Sequence, residues 1–537
     1  MQSRPTYAAA TDDFDLAKID AAFEGSFSDG VNACFECCDR HVGSNHPALN
    51  WIGADGTTRA VTYDDLKQQS ARFANMLTAQ GVGPGDRVAC LLPRVPELLV
   101  TMLGTLRAGA VYQPLFTAFG PKAIEQRLTG SEAKLIVTDG ANRPKLDDVR
   151  NCPPVVSISD PRKTDLDFQA TLDGHSSDFA PVMLRGDDLF LMLFTSGTTG
   201  APKGVGVPLK ALRAFLLYMT YGLDLRADDR FWNIADPGWA YGLYYSAIGP
   251  LLLGSTATFQ EAPFSVEATC QIIRDHGITN FAAAPTVYRM MIAAGDDVAD
   301  MLRGQLRVAS SAGEPLNVEV IRWFENNVGC TLHDHYGQTE IGMVMMNHHG
   351  VDHAVRPGSA GLPMPGYRLA IVDEDAAQVP NGTPGILAVD RTRSPLFFFS
   401  GYWGREGADW AGDYYLTGDT VEQHDAGDFS FVGRSDDVIS SAGYRIGPFD
   451  VESSLIEHPA VLESAVVGKP DAERGHIVKA FVVLGSGAEP SDELSEELRL
   501  HVRGRLGAHA YPREIAFVDA LPKTPSGKVQ RFLLRES

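Results

Sequence analysis

The sequence predicts an α/β protein with three parts. These are a large N-terminal domain of βαβ-type layered sheets, a small β subdomain, and a compact, mobile α+β C-terminal domain. Three observations predict it. Over residues 60–340 short apolar runs alternate with amphipathic ones, from about 355 short strands sit between Gly/Pro turns, and after Arg434 the pattern changes again to hairpin, helix and paired strands.

The individual elements follow from composition and period. "RVACLLP" (87–93) and "AKLIVTD" (133–139) read as buried strands, and "PELLVTMLGTLRAG" (96–109) as a helix ending at Gly109. "ITNFAAAP" (278–285) and "LRVASSAGEP" (306–315) repeat the strand-then-turn pattern. "GYRLAIVD", "GILAVD" and "DFSFVG" build the β subdomain, and the last unit carries a helix near 492–506. The expected boundary is Asp436, giving an N-terminal domain over 1–435 and a C-terminal domain over 436–537.

Bulk properties bound the function. The chain has 537 residues, 44% of them apolar and 21% charged, with a formal net charge of −22. That charge repels nucleic-acid backbones and anionic lipid, so neither is an expected partner. The apolar stretches 248–253 and 396–399 are too short to span a bilayer. The first residues lack a basic region followed by an apolar core, which leads us to expect no signal peptide and a cytoplasmic protein. Seven cysteines without framework spacing suit reduced thiols. Cys34, Cys37, Cys38 and His41 invite a metal reading, but no second ligand pair stands nearby, so a buried face of small thiols is expected instead.

Six motifs carry chemistry. In "LFLMLFTSGTTGAPKGV" (189–205) a strand empties into Thr195, Ser196, Gly197, Thr198, Thr199 and Gly200, followed by Lys203. Glycine backbone, hydroxyls and one ammonium suit a polyphosphate, although the Gly-Lys-Ser/Thr of a Walker loop is absent. "SAGEPL" (311–316) is a loop able to face a base edge. "HDHYGQTEIG" (333–342) offers Tyr336 to stack on a purine, Thr339 to donate to a phosphate, and Glu340 as an oxygen ligand for magnesium. "YLTGD" (415–419) ends a strand with Asp419, a carboxylate suited to two ribose hydroxyls. "GRSDDVISSAGYRIGP" (433–448) presents Arg434 and Arg445 to anions, and "LPKTPSGKVQR" (521–531) exposes Lys528 on a loop.

Together and in this order, "TSGTTGAPKG", "YGQTE", "YLTGD", "GYRIGPFDVES" and "PKTPSGK" resemble the acyl-adenylate-forming superfamily. Within it the pattern is most similar to the medium-chain acyl-CoA synthetases. The resemblance implies a ligase that joins a short- to medium-chain carboxylic acid to coenzyme A at the expense of ATP, with Mg2+, through an acyl-AMP. It implies that 195–203 holds the β- and γ-phosphates. Gly313, Glu314 and Pro315 form the adenine pocket with Asp334, His335 and Tyr336, and Gly337 and Gln338 complete the nucleotide stretch. Thr339 touches the α-phosphate, Glu340 binds magnesium, Asp419 and Arg434 bind ribose, and Arg445 contacts phosphate. Lys528 becomes the catalytic lysine of adenylation, and Asp436 the hinge. Gly443 with Tyr444 lines the coenzyme A path. Trp239, Ala240, Tyr241, Ala312 and Gly337 form the acyl pocket, where a tryptophan at the Gly337 position closes the pocket of acetate-specific relatives. Gly337→Trp is therefore expected to shift preference toward acetate or propionate.

Four positions depart from the pattern. They are Phe194 for Tyr, Ile341 for Thr, Ala442 for Ser, and the stretch "GAHAYPRE" (507–514), which lacks the usual "APY" before Tyr-Pro-Arg. The resemblance also suggests an acetyltransferase/deacetylase pair acting on Lys528. Two other readings stay open at this stage: an enzyme that loads a carrier protein, and a non-catalytic acyl or nucleotide sensor.

Overall fold

The computed structural model describes every residue except 1–3, 45, 196–201, 406–409, 436, 442–443, 472–473, 486, 508–509, 524–528 and 536–537, and only the backbone of 444 and 445. Two mainly parallel sheets dominate the N-terminal part. In the first, the strands Leu166–Asp167, Val155–Ser157, Leu135–Thr138, Arg87–Leu91, Val111–Pro114 and Leu189–Thr195 run parallel, and Lys203–Pro208 closes the edge antiparallel to the last. Runs such as Leu-Ile-Val-Thr at 135–138 are buried throughout, as strands covered on both faces must be. The helix Tyr63–Ala79 starts in a reciprocal cap between Thr62 and Asp65. The helix Pro96–Arg107 starts on Pro96 and ends before Gly109, whose φ of +71° needs no Cβ to be avoided.

The second sheet positions the site. Phe231–Asn233, Asn280–Ala283, Val308–Ala312 and Leu332–Gln338 lie parallel and adjacent in that order, and Gly342–Met346 and Leu362–Pro363 follow antiparallel. A three-stranded sheet of Ala257–Gln260, Pro47–Ile52 and Thr58–Thr62 flanks it. The β subdomain orders Leu369–Val372, Gly385–Asp390, Tyr414–Gln423 and Trp410–Ala411, with Phe429–Arg434 paired to Tyr414–Gln423. From Ile439 onward the chain has its own apolar core, including Ile439, Val451, Leu455, Val466 and Leu498. Its long hairpin Val461–Asp471/Gly475–Leu484 carries the helices Pro448–Ile456 and Asp492–Leu506. The three-part α/β architecture expected from the sequence is the one observed.

Local differences have physical reasons. Residues 333–338, which the sequence left without an assigned element, form a strand, because this polar stretch is paired on both sides in the middle of the second sheet. The strand at "YLTGD" continues to Gln423, so Asp419 sits mid-strand opposite Arg434. Cys34, Cys37 and Cys38 are buried, and burial pushes the Cys34 thiol up to about 11. No group of three His, Cys, Asp or Glu among the described residues is arranged to hold a metal ion. Among the same residues, no helix is long and apolar enough to cross a membrane.

Candidate active site

The site forms where the second sheet, the strand pair Leu189–Thr195/Lys203–Pro208 and the β subdomain meet. It lies at the C-terminal ends of parallel strands, where α/β sheets bind ligands. Thr195 pairs with Lys203, so the described strands before and after the hydroxyl-glycine run are antiparallel partners. Ser196, Gly197, Thr198, Thr199 and Gly200 lie outside the described residues. Lys203 places its ammonium 4.5 Å from the centre of the Tyr402 ring. Tyr402 donates to the Glu340 carboxylate at 3.1 Å, and Trp403 N–H bonds the Gly204 carbonyl at 2.8 Å. Tyr402 thereby joins the strand pair expected to hold phosphate to Glu340, the expected magnesium ligand. Sequence reading missed it, and its signal was the aromatic run ending in Gly-Tyr-Trp at 401–403.

The stretch 313–316 leaves the strand Val308–Ala312 at Gly313, where φ is +101° and a Cβ would meet no other atom within 4 Å. Glu314 accepts from Thr286 at 3.1 Å and from Arg289 at 3.0 Å. Asp334 is buried and accepts only two backbone N–H groups in the described structure, from Leu316 at 3.3 Å and His335 at 3.1 Å. Burial raises its carboxyl to about 8. Thr339 and Glu340 occupy the turn that follows the strand Leu332–Gln338, and the Thr339 carbonyl accepts from Tyr244 at 3.1 Å.

The expected ribose side centres on Asp419. Tyr336 donates to it at 2.5 Å and Gln338 at 2.8 Å, while Arg434 stands 3.6 Å away. Gln338 also donates to the Thr417 carbonyl at 2.9 Å and accepts from Tyr415 at 3.0 Å, so its amide orientation is fixed from both ends. Burial and the neighbouring Asp419 charge hold the Tyr336 hydroxyl well above its ordinary range.

Of the expected acyl residues, Trp239 packs on Phe116 and Phe119 at 5.3 and 5.4 Å, and Ala240 is half-buried. Ala312 is buried and pairs in register with His335. Tyr241 bonds Tyr218 at 3.1 Å, and Tyr218 bonds His335 at 2.8 Å. Gly337 has no room for a side chain, because a Cβ there would lie 2.2 Å from the Gly342 carbonyl oxygen. Gly337→Trp therefore forces the strand pair to move and does not test pocket length cleanly.

Lys528, Asp436 and Gly443 lie outside the described residues, as do the side chains of Tyr444 and Arg445. The flanks of Lys528 are described: Lys523 bridges Val529, and Gln530 N–H bonds the Pro522 carbonyl at 2.8 Å. Arg531 grips Glu452 at 2.8 Å, and the negative charge of Glu314 lies within its electrostatic reach. Asn317, three residues past Glu314, donates to Ser453 of the C-terminal part at 2.8 Å. Arg531, on the described flank, thus stands near the 313–316 turn.

Comparison with known proteins agrees along the whole chain. Residues 36–403 match the AMP-binding enzyme family, and residues 450–528 match the AMP-binding enzyme C-terminal domain. The acetyl-coenzyme A synthetase of Bacillus subtilis is 38% identical, with 97% of this chain and 93% of that protein aligned. A mitochondrial acyl-coenzyme A synthetase of Mus musculus, ACSM4, is 38% identical over 91% of this chain and 86% of its own. Among solved structures, an acyl-CoA synthetase of Brucella canis is 56% identical with a TM-score of 0.82, covering 99% of this chain and 98% of that one. An anthranilate CoA ligase in complex with anthranoyl-AMP is 27% identical with a TM-score of 0.86, covering 94% and 97%. These matches correct one expectation. They describe a two-part enzyme of small molecules and bring no acetyltransferase or deacetylase with them, so that partner at Lys528 is withdrawn.

Two outcomes follow from this geometry. Asp419→Asn removes a charged acceptor and should raise the ATP concentration at half-saturation about 10- to 100-fold, read from initial rates. Asp334 holds its proton in the folded state up to about pH 8, whereas the unfolded chain releases it near pH 4. Between those values the folded state binds more protons, so this group's contribution to stability falls as pH rises. Asp334→Asn cannot ionise, so its thermal midpoint should gain on wild type from pH 5 to pH 8.

Proposed function

The chain belongs to the AMP-binding enzymes, and on that premise we propose how its residues divide the work of an AMP-forming acyl-CoA synthetase. The enzyme activates a carboxylic acid with ATP to an acyl-AMP and passes the acyl group to coenzyme A. A carboxylate is a poor acyl donor because oxide is a poor leaving group. Attack on the α-phosphate replaces that leaving group with AMP and releases pyrophosphate. Two anions must meet for this, so the site has to offset their repulsion with preorganised charge.

In our reading Lys203 and the hairpin tip hold the β- and γ-phosphates, Gly313 to Pro315 with Asp334 to Tyr336 enclose adenine, and Asp419 with Arg434 takes the ribose. The Tyr336–Asp419–Gln338 cluster carries this reading, because it fixes one carboxylate where two strands converge. Glu340 suits magnesium: it is a buried carboxylate steadied by Tyr402, and magnesium prefers oxygen ligands. Bound there, the ion supplies positive charge toward the phosphates. Lys528 delivers the ammonium for adenylation. Rotation of 436–537 about Asp436 then withdraws it and brings Gly443 and Tyr444 toward the site for thiol attack, with Arg445 meeting phosphate. The acid is short- to medium-chain and lies against Trp239, Ala240, Tyr241 and Ala312. The seven free cysteines suit a cytoplasmic location.

The assignment of Lys528 is tested by separating the half-reactions. Lys528→Ala should lower acid-dependent ATP–pyrophosphate exchange by about 10²- to 10³-fold. It should leave CoA-dependent release of AMP from supplied acyl-AMP within a fewfold of wild type. Equal loss of both would overturn the division of labour.

A further inference from the structure

Beneath the expected acyl pocket, one hydrogen-bonded chain has a direction that its end point fixes. His335 is buried, and burial holds it neutral. Its Nε2 lies 3.3 Å from the Asn347 carbonyl oxygen, which only accepts. Nε2 therefore carries the ring proton and Nδ1 is an acceptor. The Tyr218 hydroxyl, 2.8 Å from Nδ1, gives its single proton to it. The Tyr218 oxygen is then left to accept, and the Tyr241 hydroxyl, 3.1 Å away, donates to it. Tyr241 has spent its proton inward, and its oxygen keeps only lone pairs.

The surroundings leave those lone pairs available. Tyr218 is fully buried, whereas Tyr241 retains accessible surface deep inside the domain. Among the described residues no donor reaches the Tyr241 oxygen. The nearby Tyr245 hydroxyl instead accepts from Met343 N–H at 3.1 Å. Ala312 stands in register with His335, on the face of the sheet that carries this chain, and adds no polar atom.

We propose that Tyr241 presents an acceptor-only oxygen to the acid's tail, so that the preferred substrates carry a hydrogen-bond donor there, a hydroxyl or amino group. This rests on the reading above that places Tyr241 in the acyl pocket. Tyr241 is the specificity-determining residue, and Tyr218 and His335 are positioning residues that set its polarity. A buried polar group built to pair with a substrate rejects an analogue that leaves it unpaired more strongly than an apolar wall rejects a methylene.

The test uses the full-length enzyme with ATP and coenzyme A, reading AMP formed. Straight-chain acids of four to seven carbons are compared in matched trios, with a hydroxyl, a methoxy group or hydrogen at each carbon from the third onward. The methoxy group accepts but does not donate. For the favoured position the hydroxy acid should exceed its methoxy partner in kcat/KM by about tenfold or more. Tyr241→Phe should collapse that ratio to within about twofold. Tyr218→Phe removes the inward acceptor and returns the Tyr241 proton to the pocket, so the ratio should invert in favour of the methoxy acid. Loss of packing alone lowers all three acids together and does not invert a ratio. If wild type turns over these acids without preferring the hydroxy member anywhere, or if both variants keep the wild-type ratio, the inference is wrong while the ligase reading stands. If no acid yields AMP, both fall.

Discussion

One carboxylate, Asp419, binds the second sheet to the β subdomain, and the geometry of the site depends on that joint. Its donors Tyr336 and Gln338 stand on the strand Leu332–Gln338, while Asp419 itself lies mid-strand in the subdomain opposite Arg434. A buried charge is tolerated only when it is paired and hydrogen-bonded, so these partners are obligatory. Arg434 is two residues before the expected hinge at Asp436. Lys203 and Arg434 are local cations in a chain of net charge −22.

The joint rests on a buried neutral support. His333 and His349 stack at 3.8 Å behind the strand Leu332–Gln338, and the Asn347 carbonyl accepts from both His333 and His335. Burial drives His333 down to about 4, so at neutral pH the histidines act as polar spacers without charge. They let a polar strand sit in the middle of a sheet with its backbone paired, and they fix the proton direction that reaches Tyr241.

The sequence made the parallel strands legible because their apolar runs are local and complete, as at 87–91 and 135–138. The helix 492–506 was legible in the sequence, and the structure adds its Ser491 cap. The motif stretch 333–338 showed no strand pattern because its residues are polar, and its strand character comes from neighbours far away in sequence. Tyr218 was invisible for the same reason. Tyr218 meets His335 across 117 positions, and no local pattern announces such a contact. The crowding at Gly337 also escaped notice, since a family resemblance gives a residue type and not the space around it.

The account turns on formation of a mixed anhydride between the acid and AMP, and isotope transfer reads that bond directly. The enzyme would be supplied with ATP, coenzyme A and an acid carrying 18O in its carboxylate, and the products resolved by mass. Attack at the α-phosphate predicts one 18O in each AMP released with the thioester. Label found in inorganic phosphate with ADP as the nucleotide product, or AMP free of label, would contradict it.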